Sequence, residues 1–289
     1  MTALPFSGSK SQARHVPVGL ALVAAPVLLV LLFVLLPALS AILSTLRVSG
    51  DGDWSLQNYR VFLSDPLSIG NVLFTLQTTL ITAVLLLGLC LPIALYLRFS
   101  QGRLPAFVQS IAVFPLFVPG IIIAYALIRF MGPNGTLATV LHHLGVDGYR
   151  SPYLTGWGTI IGLVWEGMPL TLLVLLSGLA QIQDAAVEAA RDVGAGRLRI
   201  LTGIILPQIR NSLIVAFSLS FLGAFGAFTL PYVLGPASPE MMGVFMQRTF
   251  TQVLDPAQAQ TQAVVSFLIC ALVGIVYVRS VARSHGAAR

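Results

Sequence analysis

Six long apolar runs, at about residues 18–46, 70–97, 107–131, 155–180, 209–234 and 260–281, restrict this chain more than any other feature. An α-helix needs roughly 20 apolar residues to cross the hydrocarbon of a bilayer, and each run is of that order. The runs are continuous rather than alternating, so the period-two pattern of an outer-membrane barrel is missing. Helices also satisfy every backbone group internally, as lipid requires. Only 9% of the 289 residues are charged and the mean hydropathy is +0.90, whereas a soluble domain carries roughly a quarter charged residues. The polar material is scattered in pieces too short to bury a core. The expectation is an all-α integral membrane protein with about six transmembrane helices. A tail over 1–17 precedes the membrane domain over 18–281, and a tail over 282–289 follows it.

Lys10 and Arg14 precede the first run, which is too long for the apolar core of a cleaved signal peptide, so it reads as a retained helix. An even number of spans puts both ends on one side. That side holds eleven basic residues: Lys10, Arg14, Arg98, Arg103, Arg191, Arg197, Arg199, Arg210, Arg279, Arg283 and Arg289. The other side holds five: Arg47, Arg60, Arg129, Arg150 and Arg248. The positive-inside rule then places both termini in the cytoplasm. The same asymmetry accounts for the basic pI of about 9.8 without nucleic acid. Cys90 and Cys270 both lie in apolar runs, where a small soft side chain packs well, and no metal or disulfide spacing exists. His142 and His143 are adjacent, share no helix face and have no third ligand nearby, which argues against a metal.

Between the fourth and fifth runs lies EAARDVGAGRLRILTGIILP, from Glu188 to Pro207. It is too polar for lipid and too short for a domain. Residues 181–193 read as a helix, with Ile182, Ala185, Ala186, Ala189 and Val193 as a narrow apolar face. Asp184, Glu188 and Asp192 follow at i, i+4 and i+8 as an acidic stripe, a spacing at which like charges repel. Gly194 and Gly196 bracket a sharp turn. Pro207 is expected in the first turn of the fifth transmembrane helix, where its missing N–H is tolerated.

The spacing EAA, three residues, G, nine residues, I-x-L-P is met at every named position, and it resembles the EAA loop in the permease subunits of binding-protein-dependent ABC importers. Trp54 to Tyr59 with Asp65-Pro66 also resembles the segment before the second helix in that family. The resemblance implies a type I importer permease fold with a cytoplasmic coupling loop over 181–207. It assigns coupling to an ATPase to Asp184, Glu188, Ala189, Ala190, Asp192 and Gly194. It implies a second permease, with a heterodimer favoured over a homodimer, two ATP-binding cassette subunits, and a periplasmic or lipid-anchored solute-binding protein. The expected location is the bacterial inner membrane, in contact with lipid and without nucleic acid. The chain lacks the G-x-x-x-x-G-K-[ST] phosphate loop, so ATP and Mg are expected on the partner ATPase, with no cofactor on this chain and no catalytic residue.

Glu166 is the only acid well inside an apolar run, and an ionised group at that depth costs at least a few kcal/mol. Two readings stand: a protonated carboxyl bonded to a neighbouring helix, or a carboxylate lining a pathway and favouring a cation. The string around Phe225, Phe228 and Tyr232 resembles a segment in the polyamine, iron and phosphonate importer branch, where the fifth helix lines the path. Tyr125 and Trp165 are candidates for the same space, where aromatic rings attract amines by about 0.5–2 kcal/mol each. A polyamine or another small cationic or organic solute is therefore favoured. The alternatives are an ion-driven secondary transporter built on Glu166, and a membrane enzyme using Glu166 with His142 or His143. Neither explains the EAA segment.

Overall fold

The computed structural model describes residues 15–47 and 54–286, and side-chain surroundings for 23–47 and 54–281. Most of the two expected tails, 1–17 and 282–289, lies outside those residues. The chain divides into two compact units, residues 1–60 and 61–289. The first holds α1 (His15–Val30), a π-helical turn (Leu31–Leu35) and α2 (Leu36–Thr45). Every described side chain from Val23 to Ser40 is exposed. Beyond α2, Tyr59 bonds Thr45 Oγ1 at 2.7 Å, Asn58 donates to the Thr45 carbonyl at 2.9 Å, and Arg47 lies 5.2 Å from the Trp54 ring centre.

The second unit begins within α3 (Gln57–Ser64) and continues with α4 (Pro66–Phe99). Asp65 caps α4: its carboxylate accepts from the Leu67 and Ser68 amides and from the Ser68 hydroxyl at 2.6 Å. The Ser68 hydroxyl does most to hold this carboxyl below its ordinary pKa, as expected where hydrogen bonds favour the charged form. Then come α5 (Arg103–Val113), a 3₁₀ turn (Phe114–Phe117), α6 (Gly120–Met131), α7 (Thr136–His143) and α8 (Gly156–Leu179). After these follow α9 (Asp184–Asp192), α10 (Arg197–Ile200), a π-helical turn (Leu201–Ile205) and α11 (Leu206–Gln208). The chain ends with α12 (Arg210–Phe225), α13 (Thr229–Leu234), α14 (Met242–Arg248), a π-helical turn (Thr249–Val253) and α15 (Pro256–Gly286). No strand occurs among the described residues. Five helical segments are long and apolar enough to cross a membrane, or six with the bent pair Arg197–Gln208 and Arg210–Phe225 counted as one span.

Two spans differ from the sequence expectation. The third was read as continuous over 107–131, but it breaks at Val118-Pro119. Val118 is extended (φ −105°, ψ 120°) because the following proline ring disfavours helical backbone before it. The segment long and apolar enough to cross is Gly120–His143 instead. The fifth was read as continuous over 209–234. It bends by 71° around Ile209, and it breaks again at Gly226 to Phe228 before α13. Pro207 sits in short α11 ahead of the bend, not in the first turn of the main span.

Helices α4, α8 and α12 pack against one another, and α15 lies along α12. Leu86, Cys90, Leu172, Leu175, Leu179, Val187 and Ile209 form one buried cluster, which joins the bundle to α9. Small residues allow close approach in membrane bundles. At Gly178 the Ser212 side chain of α12 occupies the space that a Cβ would take.

One buried side of α4 is polar: Asn71, Thr75, Thr78 and Thr82 fall at i, i+4, i+7 and i+11. Asn71 Oδ1 accepts from the Glu240 amide and Thr75 Oγ1 from the Met242 amide, both at 2.9 Å. These bonds draw the segment expected as an outer loop, 235–259, back onto the bundle. Glu240, Met241 and Met242 are buried there, and Arg248 Nε donates to Glu240 Oε1 at 2.7 Å. A buried carboxylate is tolerable when paired in this way.

Gly178→Val should lower the stability of the purified subunit by about 1–3 kcal/mol, the usual cost of overpacking. Thermal unfolding in detergent checks this, with Gly196→Val as the control, since nothing stands near the Cβ position of Gly196.

Candidate functional site

Helix α9 is held by one arginine. Arg98, in the last turn of α4, donates through Nε to the Leu179 carbonyl at 3.2 Å and through Nη2 to the Ile182 carbonyl at 3.1 Å. The same Nη2 lies 2.7 Å from Asp184 Oδ1. Leu179 ends α8 and Asp184 begins α9, so the cation meets the negative end of one helix and an acid at the positive end of the next. Both arrangements suit the helix dipoles, and the carbonyl bonds satisfy acceptors that a helix end leaves open. Sequence reading counted Arg98 only as a topology charge and placed Asp184 in a stripe facing a partner. The structure gives Asp184 an internal partner.

The phase of α9 also differs from the expected apolar face. Val187 is buried and Ala186 and Ala190 are half-buried, whereas Ala185, Ala189 and Val193 are exposed. The face turned outward therefore carries Glu188, Ala189, Asp192 and Val193. A residue at i+4 follows the one at i, so burying Val187 turns Glu188 and Asp192 away together. Neither acid has an ion pair among the described residues. The helix ends at Gly194, whose φ of +80° is a left-handed conformation favouring glycine. The Gly194 amide bonds the Arg191 carbonyl and the Ala195 amide bonds the Ala190 carbonyl, both at 2.9 Å, a Schellman closure.

The second site lies where both broken spans resume. Gly120 opens α6 and Thr229 opens α13. A Cβ on Gly120 would stand 3.0 Å from Glu166 Oε1 and 4.0 Å from Thr229 Cβ. The carboxylate thus lies beside the start of a 12-residue helix, whose free amides and dipole favour negative charge. Glu166 is exposed on the single subunit, although its helix is a membrane span. It borders a cavity of about 210 Å³ between α4, α8 and α12, with Thr171 and Ser220 among its walls; their hydroxyls are 2.9 Å apart.

The expected pathway residues do not converge on this point as a group. Phe228 and Tyr232 are exposed and stacked, with ring centres 5.3 Å apart. Tyr125 is exposed and borders a separate cavity with Arg129 and Pro133. Trp165 faces an apolar crevice with Ile122 and Phe130, because adjacent positions on a helix point about 100° apart. Phe225 is buried and stacks on Phe221 at 5.9 Å, so it is a packing residue of the core. Gly120 escaped sequence reading; Pro119 before it and Pro169 after Glu166 were the available signals. Among the described residues no group of His, Cys, Asp or Glu could hold a metal ion.

Comparison with known proteins decides what kind of chain this is. Residues 87–285 match the family described as "Binding-protein-dependent transport system inner membrane component". The chain belongs to that family. It is similar to the spermidine/putrescine transport system permease protein PotB of Escherichia coli (strain K12), 30% identical over 259 residues, covering 86% of this chain and 92% of PotB. It is also similar to the sulfoquinovosyl glycerol transport system permease protein SmoG of Agrobacterium fabrum, 29% identical, covering 77% of this chain and 75% of SmoG. In fold it matches a chain of a bacterial alginate ABC transporter solved with a pentasaccharide-bound periplasmic protein. The TM-score is 0.77 at 16% identity, over 91% of this chain and 92% of that one. This importer permease is thus a multi-pass membrane component rather than an enzyme.

Arg98→Ala should loosen α9 more than Asp184→Ala does. Removing Arg98 takes the side-chain donor from the Ile182 carbonyl, at about 1–3 kcal/mol for a buried unsatisfied group, while the Leu179 carbonyl keeps its bond from the Ile182 amide. The exposed half of the ion pair contributes about 1 kcal/mol or less. Amide hydrogen exchange of residues 184–192 checks this; equal protection in the two variants would remove Arg98 as the anchor.

Proposed function

We propose that this permease forms half of the translocation pathway for a polyamine or another small cationic solute, and that α9 receives the motion of a cytoplasmic ATPase. The observation that carries the solute class is Glu166, an acid on a membrane span and exposed on the single subunit. Such a group requires a wet cavity or a partner subunit. Its place beside the start of α6, between two interrupted helices, suits a pathway wall. The spermidine/putrescine name of the PotB relatives agrees with a cationic cargo, while the SmoG relative carries a different printed solute. The solute class therefore rests on the carboxylate more than on the names.

The coupling half of the proposal rests on the outward face of α9. Glu188 and Asp192 are exposed, without ion pairs among the described residues, on a helix clamped at its start and closed at its end. An acidic, rigidly held face suits a cationic groove on a partner. The proposed assembly has two permeases, a heterodimer favoured over a homodimer, two ATP-binding cassette subunits that hold ATP and Mg, and a solute-binding protein outside. Both termini and α9 face the cytoplasm. The exposed residues from Val23 to Ser40 are a surface for lipid or for the second permease.

Glu188→Lys should leave membrane insertion intact and abolish ATP-driven uptake, because like charges brought together at an interface cost several kcal/mol. Transport assays in vesicles containing the whole complex check this, and normal uptake would exclude docking through Glu188. Glu166→Gln should raise the KM for a cationic solute roughly tenfold or more, the scale of losing a charged hydrogen bond. Assembly should stay unchanged on size-exclusion chromatography; unaltered kinetics would take Glu166 out of the pathway.

A further inference from the structure

A cavity of about 860 Å³ lies between the end of α4, the inner side of α9 and the α10–π-turn segment. That volume falls within the range of small-molecule sites, roughly 300–1,000 Å³. Leu95 and Phe99 form one wall, and Ile200 and Leu201 another, while Arg191 and Arg197 supply the charge. Neither arginine has an ion pair among the described residues, unlike neighbouring Arg98, which is taken by Asp184. Leu201 belongs to the π-helical turn Leu201–Ile205, a distortion frequent at functional sites.

The cavity sits at the level where the apolar run of α4 stops, at Arg98, Phe99 and Ser100. An apolar span that ends at an arginine places this level near the headgroups of a bilayer. Two unpaired guanidiniums next to an apolar slot match a molecule with an anionic phosphate and an acyl chain. Guanidinium groups bind phosphate through paired hydrogen bonds, and basic pockets between membrane helices on the cytoplasmic side take anionic headgroups. A soluble phosphate compound would leave the apolar walls uncovered.

We infer that this cavity binds an anionic phospholipid of the cytoplasmic leaflet, with Arg191 and Arg197 on its phosphate and the α4 and π-turn walls on its acyl chain. The lipid lies between the bundle and the inner side of α9, so its presence sets how firmly α9 follows the bundle. The inference rests on the proposed cytoplasmic placement of α9.

The test uses the full permease co-expressed with its partner subunits and reconstituted in nanodiscs of equal phosphatidylglycerol and phosphatidylcholine. After extraction into detergent, lipid retained by the permease is counted by native mass spectrometry. Phosphatidylglycerol should be retained selectively by the wild type. Arg191→Gln with Arg197→Gln should reduce that retention roughly tenfold to thirtyfold, on the scale of two surface arginines near anionic lipid. Leu201→Trp, which fills the slot with both charges intact, should also exclude the lipid, and Arg103→Gln, an arginine outside the cavity, should not. Equal retention in the double variant, insensitivity to Leu201→Trp, or displacement by inorganic phosphate alone would each overturn the inference. Protease access to residues 188–194 in sealed right-side-out vesicles reads the side of the membrane separately. Cleavage from outside would overturn the cytoplasmic placement, while protected α9 with unselective lipid retention would overturn the lipid site alone.

Discussion

Backbone amides and carbonyls that enter hydrocarbon must find partners inside the protein, and nearly every local feature of this chain follows from where that demand is hardest to meet. Within uninterrupted helices it is met automatically. At Val118-Pro119 and at Gly226 to Phe228 the helices are interrupted, and Glu166 and Thr229 meet beside the helix that resumes at Gly120. Glu166 lies beside the first helical residue after one break, and Thr229 opens the helix after another. A helix start carries free amides and the positive end of the dipole, which favour a neighbouring carboxylate.

The same logic operates at the end of the bundle. Helix α8 finishes at the Leu179 carbonyl, and α9 begins with an acid. Arg98 reaches both from a third helix. The clamp fixes where α9 starts, burial of Val187 fixes its rotation, and the left-handed Gly194 fixes where it stops. A short helix is thereby fixed to α4 and α8 at its start, along its inner face and at its end. The surface left over carries Glu188 and Asp192 outward.

Polar side chains also organise the opposite half of the bundle. Asn71 and Thr75 bind backbone amides of the 238–249 segment, and Glu240 pairs with Arg248 inside it. Hydrogen bonds between α4 and this segment thus decide that a stretch with loop-like sequence becomes part of the core. Gly235, Pro236 and Pro239 suit a turn, but nothing local to them specifies a partner on a helix more than 160 residues earlier in the chain.

By itself the sequence determined the material of the fold: helices, their approximate places, and the EAA pattern that leads to the importer family. These follow from hydropathy and fixed spacing, which are properties of neighbours along the chain. Tertiary structure decided the rest. It divided the third and fifth spans, assigned Asp184 to Arg98, rotated α9 so that Val187 rather than Val193 is buried, and put Phe225 in the core while Phe228 and Tyr232 stayed outside. Each of these depends on which helix lies alongside. A carboxylate and an arginine 86 positions apart meet only after two spans have folded past each other, and no periodicity within either span records that meeting.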